Sequence, residues 1–144
     1  MKPKILFILH LPPPIHGAAM MGKYIQESEL VNSSFDCFCI NLATAGSLSD
    51  IGHISLKKLL KYFSHVVREI RPELVYITPN AGGKAFFKDF IVVQMLKSMG
   101  CKVIAHYHNK GVSVYQSKWV YNFFYKRFFS NLKVILLIQN THYQ

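Results

Sequence analysis

Between Ile5 and Leu11 the chain is apolar at every position except His10, without alternation, and Pro12-Pro13-Pro14 ends the run. Such a run fits a central strand of a parallel sheet, buried on both faces. From Gly17 to about Val31 the period changes: Ala18, Met21, Tyr24, Ile25 and Leu30 recur near helical spacing behind a first turn of small residues. Phe35 to Leu42 predicts a second strand, and Ala43 to Ile54, with Gly46, Ser47, Ser49 and Gly52, a long loop. The clearest helix covers Ser55 to Arg71. There Leu56, Leu59, Leu60, Phe63, Val66, Val67 and Ile70 trace one stripe while Lys57, Lys58, Lys61, Arg68 and Arg71 lie largely off it; Ser55 caps the helix and Pro72 ends it. Leu74 to Ile77 predicts strand three, Thr78 to Gly83 a tight loop, and Ala85 to Met99 a helix closed by Gly100. Strand four follows at Lys102 to Tyr107, a loop centred on Asn109-Lys110-Gly111, an aromatic helix at Lys118 to Phe129, and strand five at Val134 to Ile138.

Five strands alternating with four helices, with no repeat and no linker, predict a single α/β domain over residues 1–144: a Rossmann-like open parallel sheet with helices on both faces. Ligands of such sheets bind beyond the carboxyl ends of the strands. That selects four segments: Pro12 to Gly17, Asn41 to Ser47, Thr78 to Lys84 and His106 to Gly111.

Composition narrows the class. At 51% hydrophobic and 17% charged residues the chain can build a core and does not read as disordered. Its net charge of +10 suits phosphates, acidic lipid headgroups or nucleic acid without choosing among them. Cys37, Cys39 and Cys101 have no zinc-ligand spacing and point to a reduced, cytoplasmic compartment. The N-terminal run imitates a signal peptide, but it is short, interrupted by His10 and followed at once by three prolines. Phe86 to Met99 is broken by Lys88, Asp89, Gln94 and Lys97, so any membrane contact is expected to be peripheral.

The four segments exclude the commonest chemistries of this fold. No GxGxxG follows strand one, and Asn41 stands where a dinucleotide site places an acid. Thr78 to Ala85 lacks the first glycine and the hydroxyl of a Walker loop. The helix starting at Gly17-Ala18-Ala19 can accept an anion at its N-terminus, or Gly17 can serve close packing alone. His106 and His108 face the same way if the strand continues. A metal pair would lack a third ligand nearby in sequence; alternatively one histidine packs while the other emerges into the cleft.

Three stretches carry a family resemblance: KILFILHLPPPIHGAAM at 4–20, RPELVYITPN at 71–80 and FFKDFIVVQMLKSMGCKVIAHYHNKG at 86–111. Together they resemble the N-terminal, acceptor-side domain of the family-4 retaining glycosyltransferases, one half of a GT-B fold. The resemblance implies transfer of a sugar from a nucleotide-sugar donor to a glycan or lipid-linked acceptor hydroxyl with retention, in bacterial surface polysaccharide or glycolipid assembly. It implies a catalytic His108, with His16 and Gly17 near the donor diphosphate and Asn80, Asn109 and Gly111 on the acceptor side. No metal or other cofactor is expected beyond the nucleotide sugar as co-substrate. The family's basic pair and paired glutamates for the donor have no counterpart here, so a C-terminal donor-binding domain is expected to be missing, and this chain alone to be inactive.

Lys57, Lys58, Lys61, Arg68 and Arg71 on one helix, and Lys118, Lys126 and Arg127 among Trp119, Tyr121, Tyr125 and Phe129 on another, suggest a basic, aromatic surface for the cytoplasmic face of an anionic membrane, or else a solvated face beside ordinary core aromatics; Phe128 and Phe129 are candidates to pack against a second domain. One alternative is a non-catalytic module that binds a phosphorylated sugar or lipid. Nucleic-acid binding rests on charge alone, lacks a recognition motif and is not expected.

Overall fold

The computed structural model describes residues 1–41, 55–108 and 111–137. Strands β1 (Lys4–Leu9), β2 (Asp36–Asn41), β3 (Leu74–Ile77), β4 (Lys102–Tyr107) and β5 (Val134–Leu137) form one all-parallel sheet in the order β2-β1-β3-β4-β5. The described helices are α1 (Gly17–Gln26), α2 (Glu29–Ser34), α3 (Leu56–Ile70), α4 (Gly83–Ser98), α5 (Gly111–Tyr115) and α6 (Trp119–Phe129). This is the Rossmann-like α/β arrangement that the periodicities predict. None of these helices is long and apolar enough to cross a membrane.

Strand alternation divides the core into two layers. Leu6, Ile8, Val75, Ile77, Val103, Ala105 and Tyr107 pack on one face against α3, α4 and α6, through Phe63, Val67, Phe86, Leu96, Tyr125 and Phe128. Ile5, Phe7, Leu9 and Tyr76 face the other way, against Ile25 of α1 and Val31 of α2. The predicted stripe of α3 is the buried one: Leu59, Phe63 and Val67 are inside and the others pack beside them, while its lysines and arginines are exposed. Lys97 of α4 holds the end of α6, donating from Nζ to the carbonyls of Arg127, Phe128 and Ser130 at 3.3, 2.6 and 2.7 Å. A cation there satisfies carbonyls that the helix cannot pair itself.

Three details differ from the periodicities. The predicted helix over 17–31 breaks after Gln26, because Ser28 caps a new helix with its Oγ accepting from the Val31 amide at 3.4 Å. Asn32 secures the break by donating to the carbonyls of Gln26 and Ser28 at 2.8 and 2.9 Å. A short helix, α5, begins at Gly111, where a loop was expected. Phe128 is fully buried and Phe129 is half-buried, stacked on Tyr125 with 5.6 Å between centroids, so both serve this domain's own core. The outward aromatics of α6 are Trp119 and Phe123. The predicted loop over 43–54 lies outside the described residues.

Strand order also fixes where a ligand would sit. The chain goes from β1 to β2 on one side and returns to β3 on the other, so its direction across the sheet reverses between β1 and β3. Open α/β sheets leave a crevice at that switch point, outside the carboxyl ends of the strands.

Candidate functional site

Four histidines gather at that edge. His10 follows β1, and its ring meets His16 edge-on with centroids 5.7 Å apart. His16 is the N-cap of α1, its Nδ1 accepting from the Ala19 amide at 3.3 Å. A ring nitrogen that accepts carries no proton, so the cap needs the Nε2–H tautomer. On the far side of β3, the ring centroids of His106 and His108 lie 4.2 Å apart, the planes tilted by 42°. The Nδ1 of His106 is hydrogen-bonded to the hydroxyl of buried Tyr76 on β3.

The local sequence explains the approach. Gly22 of α1 lies against the end of β1 so closely that a Cβ there would meet the His10 carbonyl oxygen at 2.2 Å. Glycine at this position lets α1, and with it His16, settle beside His10. Gly17 plays no such part: it is exposed, with nothing within 4 Å of an added Cβ. Asn41, at the end of β2, accepts from the Leu11 amide through Oδ1 at 3.1 Å and so anchors the loop after β1.

Burial disfavours the charged form of His10, His106 and His108. His108 is pushed down to about 4, first by desolvation and then by the neighbouring His106 and His10. His10 is lowered by desolvation and by His16, and His106 by desolvation. No carboxylate is among these causes, so nothing at the site favours imidazolium. His10, His106 and His108 therefore present neutral, polar rings at physiological pH, able to donate and accept hydrogen bonds.

Three buried polar atoms lack partners among the described residues: Oγ1 of Thr78 and Nε2 of His108, and, on the opposite face of the sheet, the hydroxyl of Tyr107. They follow or end β3 and β4. Unpaired buried polar atoms cost about 1–3 kcal/mol each and are rare in native interiors, so Thr78 and His108 at adjacent strand ends mark a place shaped for something other than stability.

The loop after β3 is held rigidly. Asn80 donates to Oδ2 of Asp89 in α4 from its backbone at 2.7 Å and from its side chain at 2.9 Å. Tyr125 donates to the Ala81 carbonyl, and the Gly83 amide donates to the Tyr121 hydroxyl at 3.1 Å. Gly82 admits the Tyr115 ring, whose Cε2 would stand 2.2 Å from an added Cβ.

Of the residues singled out in the sequence, His16 and His108 are brought to one cluster by His10, and Gly17 opens α1 beside it. Asn80 is exposed, but its amide is committed to Asp89. Gly111 begins α5, and Asn109 lies outside the described residues. Among the described residues no group of three or more His, Cys, Asp or Glu is placed to hold a metal ion. His10, Tyr76 and Thr78 belong to the site and were not singled out. His10 had left a signal, as the one polar residue in the first apolar run, whereas Tyr76 inside an apolar strand looks like ordinary core.

No family model, curated protein or solved structure matches the chain.

Proposed function

We propose that this chain is the acceptor-side domain of a retaining glycosyltransferase of the GT-B kind, acting on a nucleotide-sugar donor and a glycan or lipid-linked acceptor. The observation that carries the reading is the histidine cluster at the β1/β3 switch point, beside the N-terminus of α1, in which burial disfavours the charged form of His10, His106 and His108. Sugars present many hydroxyls and no charge, and uncharged imidazoles able to donate and accept suit them. A diphosphate is an anion, and the exposed Gly17 that opens α1, within a chain of net charge +10, suits that. His108 acts in the neutral form. With its proton affinity so depressed it is a poor base, so its role is to orient a hydroxyl at the reacting carbon and to stabilise developing charge through a hydrogen bond. The proposal includes a donor-binding second domain forming the opposite wall of the cleft.

The outer face of α6 supports a lipid-linked acceptor. Trp119 and Phe123, 81% and 66% exposed, stand one turn apart beside the exposed Lys126 and Arg127, with Lys118 at the helix start. Apolar rings flanked by cations are the pattern of a helix lying in an anionic membrane interface. On this reading the protein works at the cytoplasmic membrane surface.

Transfer is tested by joining the chain to a donor-binding domain and following labelled sugar from nucleotide-sugar donors onto lipid or glycan acceptors. Product with retained anomeric configuration is expected. Saturable NMR shifts of the chain with phosphorylated sugars, with no transfer under any pairing, would favour a binding module instead.

A further inference from the structure

The established pieces of the site leave one pair unused: Tyr76 and His106. Tyr76 is buried in β3, its ring against Phe7 of β1 at 5.6 Å between centroids and edge-on to His106 of β4 at 5.9 Å. The described hydrogen bonds give its hydroxyl one partner, Nδ1 of His106. A phenol has a single proton to donate, and burial pushes the Tyr76 phenol up to about 12, so that proton stays on the oxygen at any physiological pH. Donated to Nδ1, it leaves His106 with its own proton on Nε2. His106 in turn lies 4.2 Å from the ring of His108, the residue read above as meeting the substrate.

We infer that Tyr76 and His106 are positioning residues for His108: the phenol fixes the tautomer and plane of His106, and the His106 ring fixes the plane of His108 at the cleft. The inference rests on the proposed role of His108 for its functional meaning, but proton placement and ring order are properties of this chain alone. The arrangement crosses three adjacent strands, β1, β3 and β4, so the sheet itself carries the alignment from the core at Phe7 to the edge at His108. Among the described residues, His10, after β1, is the further titratable group acting on His108, and His10 in turn meets His16. Asp89 and Tyr107 belong to the opposite face of the sheet.

The test is long-range proton–nitrogen NMR of the histidine rings in the intact chain, with pH titration. In the wild type His106 should show a bare Nδ1 and a protonated Nε2. In Tyr76→Phe that single tautomer should be lost and the His108 ring resonances should move. His106→Asn keeps an acceptor for the phenol but removes the neighbouring ring, and in it the titration of His108 should rise from about 4 toward its ordinary 6.5. If Tyr76→Phe fails to fold, His106→Asn still decides. A wild-type His106 protonated on Nδ1, or His108 resonances and titration unmoved in the variants, overturns the inference. In an active, two-domain enzyme, Tyr76→Phe should lower kcat at least about tenfold with KM little changed, as expected for a misaligned group. An enzyme that never transfers sugar would count against the proposed function while leaving the NMR result standing.

Discussion

Gly22 and the carbonyl of His10 are in contact so close that the smallest added side chain would overlap it, at 2.2 Å from the oxygen. The obstacle is backbone, which cannot rotate away. Gly22→Ala is therefore expected to push α1 outward, costing about 1–3 kcal/mol in denaturant unfolding and shifting the His16 ring resonances. Gly17→Ala, five residues earlier on the same helix, meets nothing and should leave stability unchanged or raise it slightly, because alanine is the better helix former. Equal costs at the two positions would show that α1 does not pack as described.

Asp89 and His108 give stability opposite pH slopes. Burial raises Asp89 to about 6, against the lowering effects of the two Asn80 hydrogen bonds and Lys88. Its folded state thus holds a proton more tightly than the unfolded chain, and its contribution falls as pH rises from about 4 to about 6. His108 is depressed to about 4, so its folded state resists protonation; its contribution is complete above 6.5 and is lost as pH falls toward 4. The two oppose each other over much of one window, and single variants separate them. Asp89→Asn keeps an oxygen for the Asn80 amide and removes the charge. It should exceed the wild type by on the order of 1–2 kcal/mol at pH 7, the gap closing near pH 4. His108→Gln should lose less stability than the wild type between pH 6.5 and 4.5. Parallel stability curves for wild type and both variants would refute these assignments.

The membrane reading has a built-in reporter, because Trp119 is the only tryptophan and stands on the outer face of α6. Vesicles rich in anionic lipid should shift its emission to the blue, and added salt should weaken the effect. Neutral vesicles should give little change. Lys126→Glu with Arg127→Glu should abolish the shift without altering the fold, since both side chains are exposed. Emission unmoved by anionic vesicles would remove the membrane from the account.

Much of the fold was legible because it is written in local periodicity. The stripe of α3 and the apolar runs of β3 and β4 predicted those elements to within a residue, and the proline and glycine punctuation fixed their ends. The break at Ser28 was missed because apolar residues continue at helical spacing across it, while the capping hydroxyl that ends the helix acts through one side-chain hydrogen bond. The site was half legible. His108 and His16 stand at strand and helix ends, where position alone signals chemistry. Their convergence through His10, and the alignment from Tyr76, depend on β3 lying between β1 and β4. Strand order is a property of long-range pairing that spacing along the chain does not contain. Asn80 was singled out by its place in the loop, yet its partner, Asp89, sits among the polar interruptions of an otherwise apolar helix.

The central claim is that the histidine edge of this sheet orients a hydroxyl for glycosyl transfer, with His108 as the residue in contact. The most direct measurement is the turnover of labelled nucleotide sugar by the chain joined to a donor-binding domain, comparing wild type with His108→Ala. The account predicts a loss of about 100-fold or more in kcat, of the size seen when a preorganised hydrogen-bonding group is removed from a transition state. Turnover within a few-fold of the wild type in a folded His108→Ala protein would contradict it.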